Sequence, residues 1–408
     1  MEGDVKPLVV ISSYPPRPCG IATFVEEALE FIYKHVPDRP IHIISHTDGE
    51  GENTHPIIDP RKDRWYEPVA ELVKNLDPYV VHIQHEYSLY EHIEDGRGDD
   101  NKGFLQLLER IQDYPVVVEP HTVHGRLKEY EEEFVRGLLD RATVVILKCD
   151  YQKWRLAWTF RNGASKLLRN ITVIPHGARD DRRYGDHEIN DIKDELGLSE
   201  FKGRRIAGLV GWIQRNKRWD IVLDSWEEIE QTIHRRTGEN WLLFAAGDVR
   251  DPNDRTEFEK YRAMLERLEQ KGLAKFLRFS PRGDIYYKVM AICDFVILPS
   301  VDETQSGTLA RIIALNKPYV TTAPLEGLTS QTLESEGGLL FTNKSSLMRK
   351  IVRLASDEGL RRELGENLKS YLENCVSWDV VVPQYLKVYE DAYKAKESGS
   401  PVEYPQEF

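Results

Sequence analysis

Short runs of consecutive apolar residues alternate along this chain with longer stretches whose apolar positions recur at helical spacing. Leu8–Ser12, Ile41–Ile44, Val80–Ile83, Val116–Val118, Val144–Leu147 and Ile171–Ile174 form a first series of such runs. The first run leads through Tyr14-Pro-Pro-Arg-Pro-Cys-Gly20 into a predicted helix, Ile21–Tyr33. Near-continuous apolar strands between helices are the pattern of a parallel sheet covered on both faces. The series then restarts with Ile206–Val210, Trp241–Ala245, Leu277–Phe279, Phe295–Leu298, Tyr319–Thr322 and Leu339–Phe341. Predicted helices Trp219–Thr232, Thr256–Lys271 and Thr308–Leu315 lie between them. Two consecutive βα series predict an α/β protein of two doubly wound, Rossmann-like domains. The boundary is expected near the polar stretch Gly177–Gly197, and no repeat or low-complexity linker interrupts the pattern.

Composition narrows this picture. The 408 residues suit two domains of roughly 150–200 residues each. A net charge of −13 argues against a nucleic-acid binder, which needs a basic footprint. The four cysteines, Cys19, Cys149, Cys293 and Cys375, are far apart and form no CxxC pair, so neither a zinc site nor a disulfide framework is expected. No signal peptide is visible, and no apolar run approaches the ~20 residues of a membrane span. The expectation is a cytoplasmic protein whose membrane contact, if any, is peripheral.

Ligands of open α/β sheets sit outside the carboxyl ends of the strands, and four places there carry candidate chemistry. Gly20 lies between a strand and a helix, where it permits close backbone approach near free helix N–H groups; a glycine at such a place is more often just a turn. Gln84-His85-Glu86-Tyr87 and His121-Thr122-Val123-His124-Gly125 follow two strands of the first series. Their histidines can exchange protons near neutral pH or hydrogen-bond sugar hydroxyls, or they only cap strand ends. His85, Glu86, His121 and His124 have no recognised metal-ligand spacing, so no metal is expected. Gly211-Trp-Ile-Gln-Arg215-Asn-Lys217 sets two cations beside a helix N-terminus, which suits a diphosphate or, on these residues alone, a solvated basic turn. Finally, Pro299 to Arg311 holds Glu303 and then Ser306-Gly307-Thr308 at a helix start. Ser306 is placed to cap that helix, and the N–H groups of Gly307 and Thr308 suit a phosphate.

In order and spacing these four places resemble the retaining GT-B glycosyltransferases of family 4, in the subgroup reading close to YPPRPCGIATF. Tyr14–Phe24 resembles the family's first glycine loop, Ile174-Pro-His-Gly177 its stretch at the end of the first domain, and Ser377-Trp378 with Tyr385 and Tyr389 its terminal helix. The resemblance implies two facing lobes, residues 1–178 and 179–376, with residues 377–396 crossing back to the first and 397–408 as a tail. It also implies transfer of a hexosyl group from a nucleoside diphosphate sugar to a saccharide or other hydroxyl acceptor, with retention and without a metal. GDP-mannose and UDP-glucose are the donors it suggests; no further cofactor is implied. By resemblance His121 lies at the reaction centre, Lys217 binds the donor diphosphate, Glu303 contacts the donor sugar, and Gly20 approaches the phosphates. Arg215, Ser306, Gly307, Thr308 and Arg311 complete the donor side, and His85, Glu86 and His124 the acceptor side.

Two residues depart from the family. Trp212 stands where the family has an arginine, so Arg215 is expected to supply the charge. Arg311 stands where a glutamate usually holds the ribose, and an arginine cannot accept a hydrogen bond. These departures keep a second reading open, a catalytically impaired GT-B protein that binds a sugar, a nucleotide or a partner. An NAD-type oxidoreductase is disfavoured because no G-x-G-x-x-G follows either first strand. Residues 153–169 contain cations, Trp154, Trp158 and Phe160, and no acid. The favoured expectation is an amphipathic helix that packs these aromatics inward; the alternative is a peripheral membrane contact.

Overall fold

Each apolar run of the first series folds as a strand in the computed structural model, which describes residues 5–94, 97–124, 126–161, 164–301 and 305–405. These strands are β1 (Leu8–Ser12), β2 (Ile41–His46), β4 (Val80–His85), β7 (Val116–Pro120), β8 (Val144–Leu147) and β9 (Ile171–Val173). The sequence pattern missed β3 (Thr54–Ile58), which lies at the edge of the sheet. Its Pro56 and polar start hide it, and an edge is where a strand tolerates proline. A two-residue antiparallel pair, β5 (Ile93–Glu94) and β6 (Arg97–Gly98), stands apart. The main sheet is all parallel in the order β3-β2-β1-β4-β7-β8-β9.

Strand periodicity divides the buried side chains of this sheet between two cores. Val9, Ile11, Val81, Ile83, Val116 and Val118 pack on one face. Leu8, Val10, Val80, Val117, Val144 and Ile146 pack on the other, with the helix Gly20–His35. The second face is closed by the terminal helix Trp378–Ser398, which buries Trp378, Val381, Val382, Tyr385, Val388, Tyr389 and Ala392. That spacing of three and four residues is one helical stripe. The chain accordingly divides into one unit of Met1–Pro175 with Trp378–Phe408 and a second of His176–Ser377.

The second unit repeats the plan with β10 (Arg205–Val210), β11 (Trp241–Gly247), β12 (Ala274–Arg278), β13 (Phe295–Leu298), β14 (Tyr319–Thr322) and β15 (Gly338–Phe341). All are parallel, in the order β12-β11-β10-β13-β14-β15. The predicted helix Trp219–Thr232 is two pieces, Asp220–Leu223 and Trp226–Thr237. The hydroxyl of Ser225 bonds back to Ile221 O between them (2.9 Å), a local side-chain bond that competes with a continuous helix.

In each sheet the strand order reverses once, between β1 and β4 and between β10 and β13. A crevice opens at the carboxyl ends of such strands. The loop to Gly20 leaves β1, His85 ends β4, Gly211 follows β10, and Pro299-Ser300 follows β13.

Candidate active site

In the first unit, His121 is the centre of the arrangement. Its backbone N–H bonds His85 O (2.8 Å), which holds the loop after β7 against the end of β4. Its Nε2 lies 2.6 Å from Gln84 Oε1, and its ring meets Phe24 edge-on at 5.2 Å between centroids. The Gln84 amide Nε2 in turn donates to Glu119 Oε2 (2.9 Å). A carboxylate only accepts, so Gln84 turns its NH2 to Glu119 and its carbonyl to His121. The imidazole therefore carries its proton on Nε2, which leaves Nδ1 as the accepting nitrogen. Burial pushes His121 down to about 3, against the pull of Glu119, so the ring is neutral at physiological pH.

Behind Gln84 lies a polar cluster that the sequence reading did not assemble. Glu119 pairs with the Lys148 ammonium, both fully buried, and Lys148 Nζ also donates to Tyr385 Oη (2.9 Å). Tyr385 donates to Glu119 Oε1 (2.9 Å), and His82 Nε2 sits 3.1 Å from Glu119 Oε2. Tyr389 Oη meets His82 Nδ1 at 2.7 Å. Although burial opposes ionisation, the Lys148 ammonium and His82 hold the Glu119 carboxyl well below the usual carboxylate range. The signals were legible but scattered: Glu119 and Lys148 each directly follow an all-apolar run, and Tyr385 and Tyr389 share one face of the terminal helix.

The other predicted acceptor-side residues take different places. His85 is fully buried. Its Nε2 bonds Asn101 Oδ1 (3.1 Å) and its ring stacks among Tyr90, Phe104 and Phe134. An aromatic ring with one hydrogen-bonded edge serves there as core, and burial lowers it to about 4. Glu86 caps the short helix Tyr87–Tyr90 through Tyr87 N (3.1 Å) and accepts from Thr122 Oγ1 (2.5 Å). His124 lies 2.7 Å from Glu131 Oε1 and stacks over Tyr87. These partners tie Glu86 and His124 to the loop walls. Among the described residues no group of three or more His, Cys, Asp or Glu side chains is placed to hold a metal ion. Gly20 is exposed and opens the helix Gly20–His35, with open space where a Cβ would stand.

In the second unit the backbone dominates. Gly211 has φ +143°, a conformation that favours glycine. A Cβ at Gly247 would stand 2.0 Å from Gly211 O, so the ends of β10 and β11 touch main chain to main chain. The turn Arg215–Lys217 follows, with Arg215 exposed and Lys217 half-buried. Asn216 O accepts from Val301 N (2.7 Å), a bond that ties this basic turn to the loop after β13. Ser306 Oγ accepts from Leu309 N (3.3 Å) and caps the helix Gly307–Ala314 as expected. Thr308 Oγ1 meets Tyr286 Oη at 2.8 Å. Glu303 lies outside the described residues. Arg311 is buried: its Nη1 donates to Gly307 O (2.9 Å), and its guanidinium lies over the rings of Tyr286 and Tyr287 at 4.9 and 5.4 Å.

The second unit thus sets a phosphate-friendly helix start beside a basic turn, both at its sheet's switch point. The model of the family "Glycosyl transferases group 1" matches residues 192–371. Over that segment the chain is similar to group 1 glycosyl transferases. An uncharacterized glycosyltransferase of Methanocaldococcus jannaschii is 34% identical over 234 residues. The match covers 57% of this chain and 57% of that relative, so the chain matches little more than half of the relative's length. Among solved structures, sucrose-phosphate synthase from Thermosynechococcus elongatus is similar with a TM-score of 0.71 and 16% identity, over 95% of this chain and 100% of that one. Anabaena HepE in complex with UDP-glucose is similar with a TM-score of 0.67 and 15% identity, over 94% and 99%. At these identities the structures establish the fold, which is GT-B.

The matched segment contains the donor-side positions anticipated from sequence in the second unit, Arg215, Lys217, Glu303, Ser306, Gly307, Thr308 and Arg311, while Gly20 lies outside it. The His121 cluster lies outside it, in the first unit.

Proposed function

We propose that the protein is a retaining glycosyltransferase that moves a hexosyl group from a nucleoside diphosphate sugar to a hydroxyl acceptor. The observation that carries this reading is the Val301–Asn216 bond, which holds the basic turn beside the loop leading to the capped helix Gly307–Ala314. As the glycosidic bond breaks, the leaving diphosphate gains charge. Arg215, Lys217 and the N–H groups of that helix's first turn are suited to stabilise it, by charge and dipole together. Glu303 is assigned to the donor-sugar hydroxyls. His121, held neutral by burial and oriented by Gln84, is assigned to a hydroxyl of the reacting sugars, and a ring neutral at physiological pH does not serve as a resident acid. UDP-glucose is the first donor to try, since the similar HepE was solved with it, and GDP-mannose the second.

The buried position of Arg311 supports this reading over an impaired one. The guanidinium that replaces the family's ribose-binding glutamate is engaged with Gly307 O and two tyrosine rings, which steadies the phosphate-side helix. The test is nucleotide release from a panel of sugar nucleotides, with and without saccharide acceptors. Release that depends on Lys217 and His121 supports the transferase. Tight nucleotide binding with neither hydrolysis nor transfer, by wild-type protein across the panel, would establish the non-catalytic binding protein instead.

A further inference from the structure

The helix Asp150–Thr159 has two unlike apolar faces. Its inner face buries Gln152, Leu156 and, just past its end, Phe160. Gln152 Oε1 accepts from Lys148 N (2.9 Å), which pins this face to the end of β8. The outer face carries Tyr151, Trp154 and Trp158, with fractional exposures of 39%, 44% and 57%. The expectation that both tryptophans pack into the domain is therefore overturned. The three rings form a ladder, with centroids 5.9 Å apart between Tyr151 and Trp154 and 6.1 Å between Trp154 and Trp158. Arg155 lies over Trp154 (6.0 Å) and Arg161 over Trp158 (5.0 Å).

Charge says what covers this face. Residues 153–169 hold five cations, Lys153, Arg155, Arg161, Lys166 and Arg169, and no acid, in a chain of net charge −13. The same segment lines a groove of about 600 Å³ where Lys166 and Arg169 meet Arg141 and Lys396, with Asp140 the one acid. Solvent-exposed tryptophans cost hydrophobic free energy unless a partner covers them. Indole rings favour the headgroup level of a bilayer, and clustered cations favour anionic lipid.

We infer that the aromatic ladder Tyr151–Trp154–Trp158, with the flanking cations of residues 153–169, is a docking surface for an anionic lipid bilayer. The rings enter the interface while Arg155, Arg161 and Lys166 meet headgroup phosphates, and Leu156 and Phe160 keep the helix fixed to the unit beneath. No helix among the described residues is long and apolar enough to cross a membrane, so contact through this surface is peripheral. The inference is independent of the transferase reading.

The test is co-sedimentation of the full chain at low salt. Vesicles of phosphatidylcholine with about one-third phosphatidylglycerol are compared with pure phosphatidylcholine. Wild type is expected to pellet with the anionic vesicles only, and to be released by high salt. The W154S/W158S variant should bind about tenfold more weakly or worse, and each cation removed in R155Q/R161Q should cost about fivefold. Unchanged melting and an unchanged circular dichroism spectrum would show that both variants remain folded. Wild type left in the supernatant at low salt overturns the proposal, as does W154S/W158S binding like wild type. A concentration-dependent dimer that W154S/W158S abolishes, without vesicle binding, would assign the surface to a second copy of the chain.

Discussion

The two units build their crevices by opposite means. The first buries its chemistry: His121 is oriented by Gln84, Gln84 by Glu119, and Glu119 by Lys148, His82 and Tyr385. The second leaves its charges near water and fixes the main chain instead, through Gly211, Gly247 and the Val301–Asn216 bond. A buried polar network is stable only when every member is satisfied. An exposed cation can be removed with little effect on the fold. Substitutions in the buried cluster behind His121 should therefore couple stability to activity, and those in the second crevice should separate them.

The largest expected effect tests that coupling. Glu119→Ala strands the Lys148 ammonium in the core and should destabilise by about 3–5 kcal/mol. Glu119→Ala combined with Lys148→Met should recover a good part of this, because no unpaired charge remains. Urea unfolding measures both. If Glu119→Ala unfolds like wild type, the cluster is not the rigid support described. His121→Ala, by contrast, should abolish most nucleotide release while shifting stability far less than Glu119→Ala does.

Lys217→Ala sharpens the other half. The loss of a charge-assisted contact to the diphosphate should weaken donor binding by about 1.5–3 kcal/mol, roughly ten- to a hundredfold. Stability should change far less than it does in Glu119→Ala. Arg215→Ala should behave the same way with a smaller loss, since Arg215 is the more exposed. Isothermal titration with UDP, beside thermal melts, distinguishes this outcome from a general loss of fold.

Acid should act on the first unit before the second. His85 is buried with its pKa lowered to about 4. In the unfolded chain it takes up a proton near 6.5, so the unfolded state binds more protons between those values. Stability contributed by the neutral ring is complete above about pH 6.5 and falls by up to about 1.4 kcal/mol per pH unit down to about 4. His121, also depressed, acts in the same direction. Replacing His85 with Phe should flatten this slope in urea titrations between pH 7 and about 4. An unchanged slope would mean that other groups carry it.

The fold was almost wholly legible because parallel strands buried on both faces read as apolar runs, and the one strand missed in the main sheets is the polar, proline-containing edge. The donor-side loops were legible because their residues are adjacent in sequence, as in Arg215–Lys217 and Ser306–Thr308. Side-chain direction was not legible. Nothing in the order Gln84-His85 says that the glutamine turns to His121 and Glu119 and the histidine to the aromatic core, although strand alternation sends neighbours to opposite faces. Nor could the pattern show that Arg311 turns inward onto Tyr286 and Tyr287, or that Glu119 of β7 and Lys148 just past β8 meet beneath a tyrosine of the terminal helix.

The smallest predicted effect asks whether the first crevice also has a part built by main chain alone. Gly20 is the first residue of its helix, is not among the glycines of positive φ, and has open space around its missing Cβ. Nothing in its own unit thus requires a glycine. Gly20→Ala should raise stability by about 0.4–1 kcal/mol, since alanine loses less backbone entropy on folding. If the turn is kept bare so that a diphosphate can approach its N–H groups, the same methyl should weaken donor binding several-fold. A variant that is more stable and binds donor as well as wild type would reduce Gly20 to a helix start. The first crevice would then act only through its side chains, and the contrast with the second would be complete.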